Sequence, residues 1–151
     1  MHDVIAYKVR KAIKAAKNLG YVCRDISSKE FCDYTSGETY TGDQITSNSI
    51  LRCEFLMLHE IIEISELKKR GIAINKETIT NCDRWIIYDA HFTALEYEIK
   101  YALNRDLSWI KLRLSHAREW LKDKELPKDL VERCKLIVDW LLILLGESKG
   151  I

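Results

Sequence analysis

The sequence predicts an all-α protein: a compact antiparallel bundle of about five helices, with an irregular or small-hairpin insertion between the first and second. Three observations predict it. The 151 residues hold one proline and six glycines, too few turn formers for a sandwich or barrel. Apolar residues recur at helical spacing along most of the chain. The stretches between these stripes are short, apart from residues 21–48, so successive helices should be antiparallel neighbours. Hydrophobic residues make up 47% and charged residues 31%, which excludes a disordered chain. At this length one domain, 1–151, is expected, with 21–48 a loop, arm or lid within it.

The first helix is predicted over Asp3 to Leu19. Ile5, Val9, Ala12, Ile13 and Ala16 form its apolar stripe, Arg10, Lys11, Lys14 and Lys17 lie opposite, and Gly20 suits its C-terminal cap. Residues 21–48 carry Ser, Thr, Gly, Asp and tyrosines with no helical stripe. Phe31 to Thr41 there reads as a small hairpin turning at Ser36-Gly37. The second helix is predicted over Gln44 to Arg70 and ends at Gly71. The third starts at Asn75 or Thr80, with a capping-box-like spacing from Thr80 to Asp83, and reaches Leu103. The fourth runs from Asp106 or Ser108 to Lys122. Pro127 suits the first turn of the fifth, which ends near Gly146. Leu136 to Leu145 is apolar almost all round. That helix is expected to be wrapped by the others, or else covered by a second chain as a homodimer.

Several functional classes are excluded or disfavoured. Twenty-four Lys+Arg against 23 Asp+Glu leave a net charge of +1, which announces neither a nucleic-acid nor a membrane partner. The longest apolar stretch, broken by Asp139, is far short of the roughly 20 residues a membrane span needs. Met1-His2-Asp3 does not open a signal peptide, so a cytoplasmic location is expected. The five cysteines are scattered without a C-x-x-C pair, which points to reduced thiols rather than a zinc site. A single glutamine, Gln44, beside plentiful Ile, Lys and Glu leans towards a thermophilic source, in which a Cys23–Cys32 disulfide would be less surprising. There is no nucleophile elbow and no glycine-rich phosphate loop. The fourth helix carries Lys111, Arg113, His116, Arg118, Trp120, Lys122 and, just beyond it, Lys124. Such a helix can bind phosphate or RNA, but a solvated face anchored by tryptophan is the commoner arrangement.

The strongest chemical signal is His59-Glu60-Ile61-Ile62-Glu63 on the second helix. Residues four apart share a helix face, so His59 and Glu63 can grip one ion. Glu66 extends the stripe, Glu60 lies to one side, and Phe55, Leu56, Ile62 and Leu67 border it. On the third helix, Asp89, Thr93, Glu96 and Lys100 mark the wet face. His91 and Glu98 fall instead among Ile87, Ala94, Leu95 and Ala102, on the inward side. Buried polar groups need partners. A divalent cation on His59, Glu63 and His91 would supply one, or the three would form a hydrogen-bonded network. Glu98 lies about 10 Å beyond His91 by helix rise, so it is expected to reach a second ion, a bound water or a basic side chain rather than the same ion.

Three families resemble fragments of this pattern. His59-Glu60-x-x-Glu63 resembles the first part of the zinc-protease H-E-x-x-H motif, with Glu63 in place of the second histidine. Glu60-x-x-Glu63 resembles half of the all-α nucleotide pyrophosphohydrolase pattern, but the third helix offers no E-x-x-D. The bundle is similar in architecture to ferritin-like di-iron proteins, whose E-x-x-H pairs it lacks. No family membership follows from such fragments.

Two functions are compatible with these residues. One is a metal-dependent hydrolase of a phosphorylated small molecule. Its zinc, iron, manganese or magnesium ion would sit on His59, Glu63 and His91, with Glu60 or Glu98 as general base and the basic first or fourth helix attracting the anion. The other is a non-enzymatic helical interaction or scaffold subunit.

Overall fold

Eight helices account for all the regular structure of the described residues, 2–36 and 47–146, in a computed structural model of the chain. They fall into two compact units, Met1–Glu98 and Ile99–Ile151. Among the described residues no helix is long and apolar enough to cross a membrane. All five cysteines are free thiols.

In the first unit, α1 (His2–Asn18) buries Val9, Ala12 and Ala16 of its predicted stripe against α4 (Glu54–Lys69). Its small side chains allow the two backbones to approach closely. Gly20, at φ +88°, ends α1: its amide bonds Lys17 and the Tyr21 amide returns to Ala16, capping two last-turn carbonyls.

The insertion contains a helix that the absence of a stripe concealed. α2 (Ser28–Thr35) opens with a capping box: Ser27 Oγ accepts from the Glu30 amide, and the Glu30 carboxylate accepts from the Ser27 amide. Phe31 to Thr35 are therefore helical, not a hairpin strand. Gly37 to Thr41, the rest of that expected hairpin, lie outside the described residues. Phe31 and Tyr34 anchor α2 to α4 and α1.

The predicted second helix is two. α3 (Ser47–Leu51) and α4 are separated at Arg52-Cys53, where Cys53 is extended (φ −122°, ψ 111°). Lys8 Nζ donates to the Leu51 carbonyl at this break. The expected start, Gln44 to Thr46, lies outside the described residues. The predicted third helix is likewise α5 (Thr78–Asn81) and α6 (Arg84–Ala102). Asp83 Oδ1 accepts from the Trp85 amide and so caps α6, whereas Thr80 turns back to the Glu77 carbonyl.

In the second unit, α7 (Leu107–Lys122) is capped by Asp106, and α8 (Lys128–Leu144) starts after Pro127. The two pack together through Ile110, Leu114 and Ala117 on one side and Leu130, Cys134 and Leu141 on the other. The Cys134 thiol donates to the Ala117 carbonyl. α8 is not wrapped on every side, as its composition suggested: Leu136 and Ile143 are 66% and 65% exposed. The helix buried all round is α4, whose side chains from Phe55 to His59 are consecutively enclosed, and from Ile61 to Ser65 again.

Candidate metal centre

Enclosure of α4 on every side forces its polar residues to find partners within the protein. Four helical positions on it and on α6 do so together. His59 and Glu63 stand one turn apart on α4, both buried, and His59 Nε2 lies 2.9 Å from Glu63 Oε2. His91, from the inward face of α6, brings Nδ1 to 3.1 Å from the same His59 nitrogen and 3.6 Å from Glu63 Oε2. The two imidazoles meet edge to face, with centroids 4.7 Å apart. The predicted trio thus converges, with one donor atom from each residue inside a 4.8 Å cluster.

These spacings match a small ion's ligand set. Zinc bonds of about 2.0–2.2 Å in a tetrahedron place ligand atoms about 3.3–3.6 Å apart. An ion would require His59 Nε2 to draw back by a few tenths of an ångström from Glu63, at 2.9 Å, and from His91, at 3.1 Å.

Glu98 is fully buried and lies on the other side of the His59 ring, with Oε1 2.7 Å from Nδ1. Its distance along α6 keeps it out of the ligand set, but the basic group it meets is His59 of the trio itself, from behind the ring, and not a separate side chain or water. Glu60 is half-buried, close enough to Tyr34 for its charge to oppose ionisation of that phenol. Glu66 belongs elsewhere: it accepts from the Tyr21 hydroxyl at 2.6 Å and pairs with Lys69. Sequence reasoning missed Tyr34, whose hydroxyl donates to Glu63 Oε1 at 2.5 Å. The Ser27-x-x-Glu30 box was the available signal, since a helix starting there turns Phe31 and Tyr34 to one face.

The electrostatics follow from the contacts. Burial alone would lower the pKa of His59. Hydrogen bonds to Glu63 and Glu98, and the attraction of both carboxylates, outweigh it and raise the value to about 10. Burial would raise Glu63, but His59 and His91 hold its carboxyl well below the usual range. Burial and the charges of Glu63 and Glu60 keep the Tyr34 phenol protonated. Without an ion, His59 is therefore an imidazolium donating to two carboxylates.

The basic fourth helix of the sequence, now α7, divides. Lys111 and Arg118 are exposed, while Arg113 is buried, 3.2 Å from His116 Nδ1 and near the faces of Trp109 and Trp120.

No protein family, curated protein or solved structure matches the chain.

Proposed function

We propose that the chain binds one divalent metal ion through His59 Nε2, Glu63 Oε2 and His91 Nδ1, and uses it to hydrolyse a phosphorylated small molecule. The observation that carries the reading is the convergence of two imidazoles and a carboxylate, from α4 and α6, at ligand spacing. Charge supports it. Two carboxylates, Glu63 and Glu98, stand on the two sides of the His59 ring, so a cation at its Nε2 side is attracted by both. A bound ion lowers the pKa of its water and so supplies a nucleophile near neutral pH. Of the two carboxylates considered as general base, Glu60 takes the role, since Glu98 faces the other ring nitrogen of His59. The exposed cations Arg10, Lys11, Lys14 and Lys17 of α1 give an anionic substrate a favourable field.

Elemental analysis of protein purified without a metal-affinity tag tests this. About one divalent metal ion per chain is expected, lost in His91→Ala and His59→Ala. Phosphate release from a panel of phosphorylated metabolites should then stop on chelation. A folded chain that retains no metal and takes up none when it is added overturns the reading.

The second reading is a non-enzymatic interaction subunit, in which His59, Glu63, Glu98 and Tyr34 are a closed structural network. The exposed Leu136 and Ile143 on α8 favour it, because they offer an apolar stripe to a partner such as a second copy of the chain.

A further inference from the structure

Both ligands on α4 are held from behind by a side chain of another helix. This has consequences for which ion fits, on the reading that an ion binds at all. His59 shows Nδ1 to Glu98 and Nε2 to Glu63 and His91. A ring N–H donated to a carboxylate fixes the tautomer, aims the other nitrogen and raises its basicity as a ligand. Glu98 comes from α6 and is fully buried, so it has no other orientation in solvent to adopt. Glu63 is divided in the same way. Oε1 accepts from Tyr34 of α2, and Oε2 alone faces the imidazoles.

We infer that Glu98 and Tyr34 are positioning residues that set this site for a borderline transition ion, such as zinc, cobalt or iron, and against magnesium and calcium. Imidazole nitrogen suits the first group. Magnesium requires an octahedron of oxygens and retains most of its waters, and calcium takes six to eight oxygens, often with bidentate carboxylates. Tyr34 occupies the oxygen that Glu63 would need to bind in the bidentate mode. Glu98 cannot join the ligand set from behind the ring without releasing His59.

Cobalt(II) titration, followed by its visible absorption, tests both the assignment and the ion on which it rests. The wild-type chain should bind one cobalt per chain with the intense bands of a low-coordinate site, and zinc should displace it. Magnesium and calcium in large excess should not. Glu98→Gln and Tyr34→Phe should keep the stoichiometry, lose affinity by about 10–100-fold and shift the bands. A merely structural role would lower the melting temperature of the ion-free variants without moving the spectrum. Failure of the wild-type chain to bind cobalt or zinc overturns the ion site itself. Wild-type binding with unchanged affinity and spectrum in both variants overturns the positioning role alone, and displacement by magnesium overturns the ion class. Should Glu98→Gln fail to fold, Glu98→Asp, which keeps the charge, and Tyr34→Phe decide by the same measurements.

Discussion

His59 retains its proton to about pH 10 because Glu63 and Glu98 offset the cost of burying it. Its folded value lies above the ordinary 6.5, so its contribution to stability is complete below that pH and is lost as pH rises towards 10. Glu63 has the opposite sign. Its value is held below the ordinary 4.5, so its contribution is present above that pH and is lost as pH falls. Urea unfolding of the chelated protein should therefore show greatest stability between about pH 4.5 and 6.5. Above that window stability should fall by about 1.4 kcal/mol per pH unit, the slope for one proton. A flat profile from pH 6 to 9 would show that His59 is not charged between its carboxylates. The trio was legible in the sequence because two simple rules apply to it. Spacing of four pairs His59 with Glu63, and the wet stripe Asp89-Thr93-Glu96-Lys100 leaves His91 and Glu98 facing inward. Neither rule gives Glu98 its side of the ring, which depends on how α6 meets α4.

At the level of the helices, the sequence marks ends by local chemistry and hides breaks inside continuous stripes. Asp106 and Gly20 act where they were expected, and Pro127 stands one residue ahead of the first turn expected for it. The break at Cys53 falls within a run that remains apolar on both sides, and no Gly or Pro marks it. α2 was the reverse case, a helix with a legible cap and no long stripe. Eight residues cannot sustain a helix alone, so α2 depends on its cap and on Phe31 and Tyr34 packing beneath it. Ser27→Ala should cost about 1 kcal/mol of stability, read from thermal unfolding. It should also speed hydrogen exchange at the Phe31 and Glu30 amides, which bond to Ser27. Unchanged exchange there would mean that packing alone holds the helix. The apolar run of α8 left its cover open for a related reason: composition reports how much surface wants burial, not whether the chain's own helices or a second copy buries it.

For the molecule as a whole, the boundary between the two compact units falls within α6, and every residue of the candidate centre belongs to the first. α8, in the second unit, offers a contrast that bears on association. Leu142 is 8% exposed and Leu136 is 66% exposed. Leu142→Asp should destabilise by several kcal/mol, roughly 3–5, because it buries an unpaired charge. Leu136→Asp should change stability by about 0.5 kcal/mol or less if the stripe meets water. If a second copy covers the stripe, the same change should halve the mass measured by sedimentation. A monomer in both proteins would exclude self-association through α8. The arrangement of the buried cluster also orders events on the ribosome. Synthesis delivers Tyr34, then His59 and Glu63, and only after another helix-length of chain His91 and Glu98. Until α6 emerges, α4 has its apolar sides and a charged pair but no Glu98 to complete it. The growing chain thus holds His59 and Glu63 together, with α1 and α2 already made to cover α4, before the residues that meet them from α6 exist.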